Sequence, residues 1–242
     1  MTQSTTPSTT PPASPTAGSA REWARQVTPT APATVAGRRT TLGIAAAMIA
    51  NPLAMTAWFL VEPSVLPRED AALFLDSVAS SPSRYLAGTA LVMLAGALTI
   101  PAAVGVARVL RPRLPRLGAL VGVLMFLSGV GLCAQVGFRG FVWSLVEADR
   151  VPASSIQSFT AFQEGGFFSV LVAPGLVFGG LATLLTVVAL LVTGLLPRWV
   201  PAAMVASMVL ASGEFPDPVT VLGAGLGVVA NVRVVKALLE LR

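Results

Sequence analysis

Long apolar runs alternate with short polar segments along most of this chain, beginning near residue 41. A helix needs about 20 residues to cross the hydrocarbon core of a bilayer, which is about 30 Å thick. Six runs meet or approach that length, so we predict an all-α protein, a polytopic transmembrane bundle of about six helices. The predicted spans are residues 41–61, 85–110, 117–138, 167–196, 199–212 and 219–239.

The fifth run, residues 199–212, is the shortest of the six and leaves two topologies open. The segment GEFPDP at residues 213–218 follows it, and glycine and proline end helices, so the fifth and sixth runs form a plausible hairpin. If the fifth run did not cross, the chain would have five spans and a basic C-terminus outside the cell.

The charges between the runs decide between these topologies. Arginine and lysine gather before the first run, after the second, after the fourth and at the end of the sixth, whereas the other loops are net acidic. Cytoplasmic segments of membrane proteins concentrate arginine and lysine close to the membrane. We therefore predict six spans in the inner (plasma) membrane, with the N-terminus and the C-terminus both cytoplasmic.

Residues 1–40 differ in composition from the rest of the chain. They are rich in Thr, Ser, Pro and Ala, and they carry no charge before Arg21. Such a segment buries too little apolar surface to offset the conformational entropy of folding. We predict a disordered cytoplasmic tail at residues 1–40, followed by a transmembrane domain at residues 41–242.

Two of the acidic loops contain amphipathic segments. Residues 68–79 and 153–162 each place apolar side chains at near-helical spacing, with polar side chains between them. We predict one short interfacial helix from each segment. Aromatic residues close to the ends of runs, including Trp58 and Tyr85, are typical of the belts that anchor helices at a membrane surface.

Composition supports the membrane class. The chain is 54% hydrophobic and 11% charged, with a mean hydropathy of +0.77, which leaves too little polar surface to coat a soluble globule. Its net charge of +5 does not indicate a nucleic-acid interface, because the basic residues form short clusters between apolar runs. The predicted partner is the lipid bilayer, and no nucleic acid is expected.

The residues that usually carry chemistry are scarce. The chain has no histidine, which removes the common zinc and haem ligands and the usual base for nucleophile activation. Its one cysteine, Cys133, cannot form an intramolecular disulfide and lies in an apolar run. We therefore predict that the protein is not an enzyme and has no catalytic residues, no cofactor and no metal site.

Asn51 and Pro52 form the most conspicuous polar feature of the first run. A proline inside a helix frees the carbonyl four residues earlier, here that of Met48, so the sequence predicts a kinked helix. Broken helices of this kind often line cavities, and Asn51 is thus a candidate cavity residue. The alternative is that Asn51 bonds to the freed backbone or to a neighbouring helix.

A second candidate cluster lies at the outer ends of the third and fourth runs. Gln135 and Arg139 end the third run, and Glu164 precedes the fourth, which would place Arg139 and Glu164 at similar depth and allow them to pair. Ordinary interfacial solvation is the alternative explanation. Asn51, Pro52, Gln135, Arg139 and Glu164 together form the predicted polar cavity.

Three glycine pairs have the GxxxG spacing that lets helix backbones approach closely: Gly118 and Gly122, Gly175 and Gly179, and Gly223 and Gly227. They predict packing within the bundle, with homo-oligomerisation as the alternative. The basic loop RPRLPR at residues 111–116 fits the charge rule for orientation, and binding of anionic lipid headgroups is its alternative role.

The segment LLPRWVPAAMV at residues 195–205 resembles a turn in uncharacterised small multi-helix integral membrane proteins of high-GC bacteria. This resemblance implies a helical membrane fold and supplies no catalytic residues.

We consider three functions. The first is a non-enzymatic scaffold or regulatory module, which we favour because no charged residue lies in the middle of a run. The second is a small-molecule or lipid-like ligand transporter or binding bundle around a kinked first helix. The third is a membrane enzyme that uses outer carboxylates such as Glu62, Asp70 and Glu164.

Overall fold

The computed structural model describes residues 35–61, 70–146, 151–210 and 217–240 of this chain. Within these ranges the secondary structure is α-helical and contains no strand, which confirms the predicted all-α class. The predicted tail at residues 1–40 lies mostly outside the described ranges. The helices are α1 (Val35–Val61), α2 (Ala71–Ser80), α3 (Pro82–Leu110), α4 (Pro115–Leu145), α5 (Ala153–Glu164), α6 (Gly166–Thr193), α7 (Trp199–Leu210) and α8 (Asp217–Glu240).

Five of these helices are long and apolar enough to cross a membrane: α1, α3, α4, α6 and α8. The predicted fifth crossing, at residues 199–212, corresponds to α7, which has only 12 residues. At 1.5 Å per residue α7 is about 18 Å long, so it does not match the hydrocarbon thickness by itself. The described residues thus contain five helices of spanning length and two shorter apolar helices, α2 and α7, and the last two residues of the predicted fifth run lie outside the described ranges.

The short helix α7 nevertheless forms a hairpin-like pair with α8. A core cluster joins Ile44 near the start of α1, Leu110 at the end of α3, Val200 in α7 and Leu238 near the end of α8. The start of α1 and the end of α8 therefore lie at the same end of the bundle. We call this end, which also carries the loop at residues 111–114, the basic end.

Close helix contacts explain the small residues of the long helices. The helix α4 packs between α3 and α6, and α1 packs between α3 and α8. A Cβ atom added to Gly131 of α4 would lie 2.5 Å from the backbone nitrogen of Gly175 in α6, so these helices require glycine there. Gly118 and Gly227, from the other two predicted pairs, also lie close to neighbouring helices of the same chain.

The predicted interfacial segments are helical and form the cap of the bundle, α2 and α5, at the end opposite the basic end. Asp70 begins α2, because its carboxylate accepts hydrogen bonds from the backbone N–H groups of Ala72 and Leu73. Phe74 of α2 stacks on Phe159 of α5, with ring centroids 5.4 Å apart. This pair packs on the first residues of α3 and the last turns of α4.

The connection from α6 to α7 is a tight turn at the basic end. Gly194 ends α6 with φ of +58°, a left-handed conformation that favours glycine. The side chain of Arg113, from the loop between α3 and α4, donates a hydrogen bond to the carbonyl of Thr193. This contact satisfies a carbonyl in the last turn of α6 and ties the two loops together.

Candidate functional site

Asn51 lies on the face of α1 that packs against α3. Its Nδ2 atom donates hydrogen bonds to the carbonyl of Ala95 and to the Oγ1 atom of Thr99, each at 2.7 Å. Thr99 is buried, and its hydroxyl donates to the same Ala95 carbonyl at 2.8 Å. Asn51 thus joins α1 to α3, which favours the interpretation that it bonds to a neighbouring helix over the interpretation that it lines a cavity.

Pro52 does not end α1, because the helix continues from Val35 to Val61. One turn later, Thr56 donates its hydroxyl hydrogen to the Pro52 carbonyl at 2.8 Å. Prolines also occur inside α3, at Pro101, and inside α6, at Pro174. A proline within a long helix is therefore a repeated feature of this bundle and does not single out α1.

Arg139 is buried in α4, with 6% of its surface exposed. Its Cζ atom lies 5.2 Å from the ring centroid of Tyr85 and 5.7 Å from that of Trp58. Its Nη1 atom donates to the hydroxyl of Thr89 at 3.3 Å, and the Tyr85 hydroxyl donates to the Arg139 carbonyl at 3.3 Å. We call Trp58, Tyr85, Thr89 and Arg139 the arginine–aromatic cluster.

The contacts of the arginine–aromatic cluster offset part of the cost of burying the Arg139 cation. A charge removed from water is costly unless it is paired, hydrogen-bonded or placed over aromatic rings, whose faces carry negative potential. Trp58 belongs to α1 and Tyr85 to α3, so Arg139 holds three helices together. The prediction that Tyr85 is a membrane-belt residue is wrong, because only 1% of its surface is exposed.

Gln135 and Glu164 occupy different surroundings. Gln135 lies one turn before Arg139, is 8% exposed, and packs near Gly175 of α6. Glu164 ends α5 and is exposed. No ion pair joins Glu164 to Arg139 among the described residues, so the pairing that similar depth would allow is not seen there. The reason is that the Arg139 guanidinium contacts Tyr85 and Trp58, whereas Glu164 stays at the surface of the cap.

The predicted polar cavity is therefore divided into separate places. Helix α3 supplies the partners of both main residues, Thr89 to Arg139 and Ala95 and Thr99 to Asn51. These partners are six to ten residues apart, which corresponds to about 9 to 15 Å along a helix. Asn51 and Arg139 thus lie at different depths of the bundle.

Thr89 and Thr99 are hydrogen-bond partners of Arg139 and Asn51 that sequence reasoning missed. Both are hydroxyl residues inside an apolar run, and that position was the signal available. Their partners lie 48 and 50 residues away in the chain, so the pairing required the structure.

The described residues contain no group of side chains typical of a metal site. No three His, Cys, Asp or Glu side chains come together among them. Every buried side-chain nitrogen or oxygen atom in the described ranges has a hydrogen-bond partner. Asp70, one of the carboxylates considered for catalysis, caps α2, and Glu62 lies outside the described residues.

A protein-family model described as a domain of unknown function, DUF4386, matches residues 43–237. The chain belongs to the DUF4386 family. The match begins in α1 and ends in α8, so both the Asn51 contacts and the arginine–aromatic cluster lie in the DUF4386 domain. The expected resemblance to an uncharacterised family is confirmed at that level. No curated protein and no solved structure matches this DUF4386 chain.

Proposed function

We propose that this DUF4386 protein is a non-enzymatic scaffold or regulatory module of a bacterial inner membrane. The proposal rests on the partners that its interior polar side chains contact. Asn51 and Arg139 both make hydrogen bonds or ring contacts to other helices of the same chain. Ligand and catalytic sites instead present several polar groups to a shared space.

Orientation follows from charge. The basic end carries the arginine-rich loop between α3 and α4, Arg198, and the last turns of α8, which include Arg233 and Lys236. Because arginine and lysine are retained on the cytoplasmic side, we assign the basic end to the cytoplasm and the cap to the outer face. The heavy use of Ala, Val, Gly and Arg with a single lysine, Lys236, supports a high-GC bacterial source.

This orientation presents two places where a partner can contact the protein: the cap at the outer face and the N-terminal tail in the cytoplasm. The cap is firmly attached, because Phe74, Leu75 and Phe159 are buried against the bundle. An outer surface that is packed onto the bundle supports a role in holding or sensing a partner.

A transporter or ligand-binding bundle around α1 has less support. That function needs Asn51 to be available to a ligand, yet the Nδ2 atom of Asn51 donates hydrogen bonds to two oxygen atoms of α3. A substitution that removes the amide of Asn51 therefore distinguishes the scaffold function from the ligand-binding function.

The test is native mass spectrometry of the full chain in mild detergent, with Asn51→Leu beside wild type. We expect no small-molecule adduct that the substitution removes, together with a loss of stability of about 1 kcal/mol from the broken interhelical bonds. Asn231→Leu is a matched control, because Asn231 bonds only to Gly227 of its own helix in the described contacts. A stoichiometric adduct in wild type that Asn51→Leu eliminates and Asn231→Leu retains would overturn the proposal in favour of ligand binding.

A further inference from the structure

A groove of about 910 Å³ opens between α3 and α4 on the side of the basic end. Small side chains line its centre, namely those of Ala103, Ala107, Ala119 and Gly122. Larger apolar residues line its far part, including Phe126. The groove exists because small residues let α3 and α4 meet without filling the space on their outer side.

Three arginines line the mouth of this groove: Arg108 of α3, Arg111 of the loop and Arg116 of α4. All three are exposed. The fourth arginine of the same loop, Arg113, turns away and bonds to the Thr193 carbonyl of α6. The charge rule for orientation requires arginines in this loop but does not require three of them to surround one apolar groove.

The length of the groove matches one leaflet of a bilayer. Arg116 at the mouth and Phe126 at the far part are ten residues apart on α4, which corresponds to about 15 Å. Half of a hydrocarbon core about 30 Å thick is the same length. The groove therefore joins a cationic mouth at headgroup depth to an apolar channel as deep as an acyl chain extends.

The geometry points to a binding site for one anionic phospholipid, with an acyl chain in the groove and its phosphate held by Arg108, Arg111 and Arg116. Guanidinium groups bind phosphate oxygens through paired, charge-assisted hydrogen bonds, so the arginines recognise the headgroup. The first turn of α4 contains no acidic residue that would repel a phosphate at this mouth. This site is independent of the scaffold function, which rests on contacts at Asn51 and Arg139.

The experiment is native mass spectrometry of the full chain in mild detergent, titrated with dioleoylphosphatidylglycerol or dioleoylphosphatidylcholine. We expect wild type to retain one phosphatidylglycerol in preference to phosphatidylcholine. The groove variant Arg108→Gln, Arg111→Gln and Arg116→Gln should lower phosphatidylglycerol retention more than about tenfold, because each arginine near an anionic surface contributes roughly a fivefold factor.

Two matched controls distinguish the site from general surface charge. Arg198→Gln, Arg233→Gln and Lys236→Gln together remove the same number of positive charges from the basic end outside the groove lining, and should leave retention unchanged. Ala119→Phe fills the groove and should lower retention, whereas Ala134→Phe, at another exposed position of α4, should not.

Several results would overturn the site. These are equal retention of the two lipids by wild type, equal losses in the two charge variants, or an Ala119→Phe protein that retains phosphatidylglycerol as wild type does. A dimer that Ala119→Phe dissociates without any lipid adduct would show that a second copy occupies the groove. If the groove variant fails to fold, as judged by its elution profile and helical circular dichroism, the Ala119 and Ala134 pair still decides the question.

Discussion

Two tryptophans of this protein lie at the same distance from an arginine in different surroundings. Arg139 lies 5.7 Å from the ring of Trp58, and Arg233 lies 5.7 Å from the ring of Trp199. Arg139 is buried, whereas Arg233 is exposed and Trp199 is 42% exposed. Cation–π attraction grows as water is removed, so the buried contact of Arg139 with Trp58 should stabilise the protein more than the exposed contact of Arg233 with Trp199.

Replacement of each tryptophan by leucine measures this difference. We expect Trp58→Leu to lower the free energy of unfolding by about 2 kcal/mol and Trp199→Leu to lower it by about 0.5 to 1 kcal/mol. The readout is reversible unfolding of the purified protein in detergent micelles, followed by circular dichroism. Equal losses in the two variants would mean that the arginine–aromatic cluster does not stabilise the bundle beyond a surface contact.

At the scale of elements, the cap shows how short amphipathic helices are used at a bundle end. Helices α2 and α5 bury one face each against the ends of α3 and α4. On α2 the buried Phe74 is followed by the buried Leu75, whereas the preceding residue, Leu73, is 59% exposed. The stability of the cap should therefore depend on the side chains that are buried against the bundle, such as Phe74, and not on apolar residues in general.

Truncation of the stacked phenylalanine tests that dependence. We expect Phe74→Ala to cost about 3 kcal/mol, because it removes a buried ring and leaves a cavity against Phe159. Leu73→Ala on the same helix should change stability by less than about 0.5 kcal/mol. Hydrogen exchange of α2 and α5 provides the local measurement, and equal protection in the two variants would contradict the packing described for the cap.

The sequence located the helices well where the apolar runs were uninterrupted. The predicted spans 85–110 and 167–196 correspond to α3 and α6 within a few residues. The predicted span 117–138 ended before Arg139, but α4 continues to Leu145 and includes Arg139, whose guanidinium lies over rings of α1 and α3.

The polar contacts were less predictable than the helices. Asn51 was recognised as a residue that needs a partner, yet the identity of that partner depends on how α1 rotates against α3. A pairing of Arg139 with Glu164 was left open for the same reason, since similar depth does not determine which way two side chains point. Periodicity reports burial, and it does not report which helices are neighbours.

At the scale of the whole molecule, the two ends of the described chain lie together. The short helix α7 and the long helix α8 return the chain to the end where α1 begins, and the shared core cluster from Ile44 to Leu238 fixes this arrangement. Three assignments depend on placing that end in the cytoplasm. They are the leaflet that contains the groove between α3 and α4, the outer position of the cap, and the cytoplasmic position of the tail. The placement of both ends on the cytoplasmic side is therefore the central claim.

Labelling of single cysteines tests this claim most directly. In a Cys133→Ser background, one cysteine is introduced at Ser154 of the cap or at Lys236 near the end of α8, both of which are exposed. Intact cells are treated with a membrane-impermeant maleimide before or after permeabilisation. We expect Ser154→Cys to be labelled in intact cells and Lys236→Cys only after permeabilisation. Labelling of Lys236→Cys in intact cells would contradict the shared cytoplasmic side and would support a five-span topology.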